Sequence, residues 1–291
     1  MTFHGSLVAI ITPFRNGQVD EKALGDLIEW QIANGTDGIV PCGTTGESAT
    51  LTHEEHKRVV EFTIEAVKRR VPVIAGTGSN ATDEAIELTR HARSVGADAA
   101  LLISPYYNKP TQEGLYRHHK AIAEAVDIPQ ILYNIPGRTA VNMAPATVAR
   151  LAQFKNIVGI KEGAGSLQQV SEIVQACGDR FTVLSGDDAL TLPMMAVGAK
   201  GVITVTANIA PADMAAMVDV WEAGNVAKAR ALHFKLYPLF QALFFETNPV
   251  PVKHALALMG RATADVRLPL CAMSQENLDK LTRVMKDYGL V

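Results

Sequence analysis

Short β-branched apolar runs alternate along the chain with longer stretches of helical period, the pattern of repeated strand–helix units around a parallel sheet. The runs are Leu7–Thr12, Gly38–Cys42, Val71–Ala75, Ala99–Ser104, Gln130–Tyr133, Ile157–Lys161, Thr182–Ser185 and Gly201–Val205, eight in all. They are continuous rather than alternating, as strands covered on both faces should be. Several helix ends are legible between them. Asp20 suits the N-cap of a helix ending at Gly35, and Thr52 with Glu55 has capping-box spacing. Asn80 precedes a helix ending near Gly96, while Gly178, Gly198 and Gly224 stand where left-handed backbone closes a helix. Eight units over about 220 residues predict an α/β fold, a (β/α)8 TIM barrel. From Val226 onward the period is only helical, over Val226–Phe244, Val250–Met259 and Gln275–Tyr288, with Pro249, Pro251 and Pro269 expected as breaks. The expected division is a barrel over residues 1–225 and a C-terminal helical extension over 226–291 packed on it, since no low-complexity linker intervenes.

A doubly wound open sheet is the rival architecture. Its support is Gly76-Thr77-Gly78-Ser79-Asn80-Ala81, which follows a strand, precedes a helix and matches a loose dinucleotide fingerprint. The next strand ends Leu102-Ile103-Ser104-Pro105, with no acidic residue to hold a ribose hydroxyl. Tight strand–helix turns use glycine in any case.

Composition narrows the partners. Among 291 residues 48% are hydrophobic and 20% charged, with a net charge of -3, which gives no electrostatic pull toward nucleic acid or an anionic membrane. No apolar stretch approaches the roughly 20 residues of a membrane helix. Met1–Phe14 carries only the run Leu7–Ile11 and no basic flank, so neither signal peptide nor anchor is expected. Cys42, Cys177 and Cys271 are odd in number, far apart and without CxxC spacing, which argues against a disulfide frame or structural zinc and for a reducing cytoplasm.

The chemistry centres on Ile157-Val158-Gly159-Ile160-Lys161-Glu162, where an amine ends an apolar run. Packing alone rarely puts lysine there. Partial desolvation at a cavity mouth disfavours the ammonium and leaves a nucleophilic amine, the requirement for a Schiff base with a carbonyl substrate. A lysine that snorkels into solvent is the plain alternative. Barrel chemistry gathers at carboxyl ends of strands, and those ends offer Thr12, Gly43-Thr44-Thr45-Gly46-Glu47-Ser48, Thr77, Tyr106, Tyr107, Tyr133, Gly186, Asp187, Asp188, Ile203 and Thr204. The Gly43–Ser48 turn, with two glycines, paired hydroxyls and free N–H groups expected, suits a small carboxylate and is not a P-loop. Tyr133 is placed to carry protons, although a core tyrosine with a satisfied hydroxyl reads the same way. Arg138, on a loop fixed by Pro136 and Gly137, suits a second carboxylate, although a lone loop arginine is commonly solvated. His118 and His119 receive no role, and the other lysines are expected to be solvated, with Lys109 beside Tyr107 as the exception of interest.

Taken together, Gly43–Ser48, Ser104–Pro110, Tyr133–Thr139, Ile160–Glu162, Ser185–Asp188 and Gly201–Asn208, with Asn248–Lys253 in the tail, resemble the dihydrodipicolinate synthase branch of the N-acetylneuraminate lyase family of Schiff-base barrels. The resemblance spans essentially the whole chain. It implies that Lys161 forms an imine with pyruvate and that the derived enamine adds to L-aspartate 4-semialdehyde, giving 4-hydroxy-tetrahydrodipicolinate in the diaminopimelate route to L-lysine, without metal or organic cofactor. It assigns Thr44, Tyr107 and Tyr133 to a proton relay, Tyr107 coming from a neighbouring subunit, and Thr45 to the pyruvate carboxylate. Gly186 and Ile203 match backbone contacts, and Arg138 matches the receiver of the semialdehyde carboxylate. The sialic-acid-cleaving relatives, the alternative reading, generally carry an apolar residue at the position of Arg138. Ser48, Ala49, His53, His56, Asn80, Glu84 and Tyr106 match an allosteric pocket for L-lysine. His53 and His56 lack the spacing of a zinc site. The family also implies a homotetramer, a dimer of dimers.

Overall fold

The structure, a computed structural model, describes residues 3–291. Met1 and Thr2, where the expected barrel domain begins, lie outside the described residues. The strands are β1 (Gly5–Ala9), β2 (Phe14–Arg15), β3 (Gln18–Val19), β4 (Gly38–Val40), β5 (Ile74–Gly76), β6 (Ala99–Ile103), β7 (Gln130–Asn134), β8 (Ile157–Glu162), β9 (Thr182–Ser185) and β10 (Gly201–Thr204). Each of the eight expected runs is a strand, with ends displaced by at most three residues. These eight form one sheet in the order β4-β1-β10-β9-β8-β7-β6-β5, the strand–helix alternation of a (β/α)8 fold. The antiparallel pair β2–β3 was not expected. Its turn is Asn16-Gly17, both at positive φ, the dipeptide that a tight hairpin favours.

Two compact units divide the chain, one of Pro72–Ile203 with the segment ending at Gly5, the other of Ser6–Val71 with Thr204–Val291. In the first, β5 to β9 pair in parallel in chain order, and the register sets Tyr133 opposite Lys161 and Lys161 opposite Leu184. Helices Thr82–Ser94 and Gln112–Ala125 close a core of Ala85, Ala100, Leu102, Ile122, Val126 and Ile128 against β6. Each large aliphatic side chain so buried contributes about 1.5–3 kcal/mol before conformational entropy is charged. Helix Leu167–Cys177 begins at Ser166, whose hydroxyl accepts from Gln169 N, and closes at Gly178 with φ 70°.

In the second unit β1 pairs with β4 in parallel. Asp20 caps helix Glu21–Ala33, and the Thr52–Glu55 capping box forms at helix His53–Val67 with bonds of 3.2 and 2.9 Å. The tail helices are Val226–Ala242, Val250–Leu258 and Gln275–Tyr288. They belong to this unit, tied to it by Thr263 on Phe14 O, Arg267 on Glu55 and Asn248 on Thr45. No unit boundary falls at residue 225. Pro251 breaks nothing, because it lies in the first turn of Val250–Leu258, where its missing N–H has no helical partner to lose.

Candidate active site

β8 ends in Lys161 and Glu162, whose side chains leave opposite faces of the strand. Lys161 is 6% exposed, so it does not snorkel, and its Nζ lies 4.4 Å from the centre of the Tyr133 ring. Tyr133 and Ile203 are buried. Gly186 donates its N–H to Glu162 O at 2.7 Å, which leaves its carbonyl as the group able to face a ligand.

The other face of the β7–β8 pair holds a polar hub. Glu162 accepts from Ala164 N at 2.6 Å, from Asn134 Nδ2 at 3.1 and 3.0 Å and from Gln169 Nε2 at 3.1 Å. Asn142 joins Asn134 and Gln169, and Met143 N donates to Asn134 Oδ1. Burial pushes the Glu162 carboxyl up, opposed by those amide donors. The hub therefore clamps together the ends of the Tyr133 and Lys161 strands and the segment after Arg138. None of its members besides Glu162 was singled out from the sequence.

Arg138 is exposed on a one-turn helix, Pro136–Thr139, rather than on an open loop. Tyr107 is 91% exposed at φ 69°, so its side chain stands apart from the Lys161–Tyr133 pair instead of converging on it. Lys109 shares the left-handed backbone.

In the second unit, Thr44 is half-buried and Thr45 buried, with Thr45 Oγ1 accepting from Asn248 Nδ2 at 3.0 Å. Gly46 N and Ser48 N donate to Gly43 O, and Glu47 N to Thr44 O, so those N–H groups close the turn and are not donors for a ligand. Glu47 forms an ion pair with Lys253, and Arg267 N donates to its other oxygen at 3.1 Å. The side chains of Lys253 and Glu47 are 0% and 1% exposed. Lys253 thus corrects the expectation that the other lysines are solvated. Burial lowers its pKa, and the Glu47 charge raises it.

The residues matched to an effector pocket fall into two sets. In the first unit, Ser79 donates to Glu84, Asn80 Nδ2 to Tyr106 O at 3.3 Å, and Asn108 Nδ2 to Asn80 O at 2.8 Å. Burial and the Glu84 charge push the Tyr106 phenol up. In the second, Ser48 and Ala49 sit on the short helix Ser48–Thr50, and His53 is exposed while His56, three positions on, is buried.

The fingerprint at Gly76–Ala81 has a structural cause instead. Thr77 N and Gly78 N donate to Leu101 O at 3.0 and 3.3 Å, and a Cβ on Gly78 would lie 2.3 Å from Ile103 N. Its amides serve the sheet, and its glycine is required by strand packing. Among the described residues no group of three His, Cys, Asp or Glu side chains could hold a metal ion, and no helix is long and apolar enough to cross a membrane.

The model of the dihydrodipicolinate synthetase family matches residues 2–288. The 4-hydroxy-tetrahydrodipicolinate synthase of Syntrophus aciditrophicus is 65% identical over 289 residues, covering 99% of each chain. The crystal structure of dihydrodipicolinate synthase from Aquifex aeolicus is 54% identical, with a TM-score of 0.98 over 99% of each chain. That of the Cyanidioschyzon merolae protein with lysine bound is 41% identical, with a TM-score of 0.97 and 99% of each chain covered.

Proposed function

The chain belongs to the dihydrodipicolinate synthetase family, and from that we propose that it joins pyruvate to L-aspartate 4-semialdehyde through an imine on Lys161. It is a lyase of the class I aldolase type, and its product, 4-hydroxy-tetrahydrodipicolinate, lies on the diaminopimelate route to L-lysine. The observation that carries the assignment of the nucleophile is the buried Lys161 amine over the Tyr133 ring at a strand's carboxyl end.

The amine attacks the pyruvate ketone, and loss of water gives the imine. Removal of a methyl proton yields an enamine, whose carbon adds to the semialdehyde carbonyl. The amino group of the semialdehyde then displaces Lys161 and closes the ring. Tyr133, with Thr44 and a Tyr107 from another subunit, moves the protons. The 91% exposure of Tyr107 supports donation to a second copy, and hence a homotetramer built as a dimer of dimers. Thr45 receives the pyruvate carboxylate, with the Gly186 carbonyl and Ile203 backbone near the same substrate. Arg138 receives the semialdehyde carboxylate, which favours the synthase over cleavage of sialic acid. The lysine bound to the Cyanidioschyzon merolae relative supports L-lysine as an effector held by Ser48, Ala49, His53, His56, Asn80, Glu84 and Tyr106. We place the enzyme in the cytoplasm.

Borohydride reduction in the presence of pyruvate should leave a reduced adduct on Lys161, read by mass spectrometry of the peptide. No adduct would end the assignment. In a coupled assay with the next reductase, Arg138→Ala should cost about tenfold to a hundredfold in semialdehyde turnover, the worth of a charge-assisted bond. Trapping should remain. A parallel fall in both would remove Arg138 from its role.

A further inference from the structure

The turn that carries Thr44 and Thr45 is held in an unusual backbone, and the groups holding it come from the C-terminal tail. Cys42, just before the turn, and Glu47, within it, both adopt left-handed φ, 54° and 52°. Non-glycine residues remain there only where surroundings over-determine them. The surroundings do so here. Thr12 Oγ1 donates to Gly46 O at 2.7 Å, and a Cβ on Gly46 would lie 3.0 Å from Cys42 N, so the turn is folded tightly on itself. Cys42 Sγ donates to His56 O at 3.6 Å. Glu47 is gripped by the buried Lys253 ammonium, which also donates to Asp265 O at 2.8 Å and lies 4.1 Å from the centre of the Phe14 ring. Asn248 fixes the rotamer of Thr45.

We propose that Lys253, through Glu47, and Asn248, through Thr45, are positioning residues that preset this turn for the carboxylate of the 2-oxo acid, making the tail part of substrate selection. The inference rests on reading Thr44–Thr45 as the carboxylate site. A pre-set turn costs no reorganisation when the anion arrives. A relaxed one loses affinity for the carboxylate and leaves attack on a ketone untouched.

The test compares two ketones that differ in that group alone. Borohydride trapping on Lys161 is titrated with pyruvate and with acetone, which lacks the carboxylate, in wild type, Asn248→Ala and Lys253→Met. The half-saturating pyruvate concentration should rise about tenfold in both variants, a typical cost for losing an outer support, with acetone trapping unchanged. Because Lys253→Met leaves Glu47 without its cation, Glu47→Gln with Lys253→Met serves as a second variant. It should recover folding yet keep the weakened pyruvate affinity. Equal losses for both ketones, or no loss for either, would overturn the inference. Wild type that traps neither would instead overturn the Lys161 reading on which it rests.

Discussion

Each compact unit buries a glutamate beside its share of the proposed chemistry, and the two are compensated differently. Glu47 meets a cation, Lys253, and one backbone N–H. Glu162 meets four contacts from amide groups, all neutral. A buried ion pair is sensitive to loss of one partner, because the survivor keeps its desolvation cost without its attraction. An amide cage has no such single point of failure, since each donor contributes only about 0.5–3 kcal/mol. This chain fixes one strand end with charge and the other with shape and hydrogen bonds.

Breaking it begins at the ion pair. Lys253→Met should destabilise the protein by about 3–5 kcal/mol in denaturant unfolding. Adding Glu47→Gln should return most of that loss, because neither buried charge then remains. If the double variant were no more stable than the single one, the loss would stem from packing around the Lys253 stem, and the contrast with Glu162 would fail.

At the other glutamate the effect should be smaller. Glu162→Gln keeps the shape but turns an NH2 toward donors, leaving one of Asn134, Gln169 or Ala164 unsatisfied, at a cost of about 1–3 kcal/mol. Near-equal losses for Glu162→Gln and Lys253→Met in the same denaturant series would erase the distinction. Imine trapping should weaken as well in Glu162→Gln, because the Tyr133 and Lys161 strand ends share this clamp.

Neither cage was legible in the sequence, although the strands around them were. Parallel strands buried on both faces must be apolar over their whole length, so Ile157–Glu162 and its neighbours announced themselves. Caps are equally local: Asp20 and the Thr52–Glu55 box depend on residues three apart, and both formed as read. Lys161 stood out because charge interrupts an apolar run. Lys253 did not, because a lysine in a short helix reads as solvated until its partner is known; Val250–Leu258 is in fact buried at seven of its nine residues, and Glu47, which meets the ammonium, lies 206 residues earlier. Asn134, Asn142 and Gln169 were silent for the same reason, since an amide becomes informative only when its partners are known. Tyr107 shows the converse. Its neighbours in sequence placed it at a strand end, but the backbone turn at φ 69° sends it into solvent.

The smallest effect concerns a buried group with no charge to meet. His118 and His119 pack edge to face at 4.9 Å, and among the described residues neither ring nitrogen of His119 nor Nε2 of His118 has a hydrogen-bond partner. Only Thr82 Oγ1 reaches His118 Nδ1, at 3.0 Å. Burial lowers the His118 pKa from 6.5 to about 4, and that of His119 falls well below its ordinary value. The unfolded chain therefore binds more protons than the folded one below pH 6.5, so stability is complete above that value and drains away as pH falls toward about 4. Between pH 7 and 5.5 His118 alone should remove about 1 kcal/mol. His118→Gln, which keeps a partner for Thr82 but does not titrate, should flatten the slope by that amount in denaturant midpoints taken at the two pH values. An unchanged slope would mean that the helix pair opens before the ring takes up its proton.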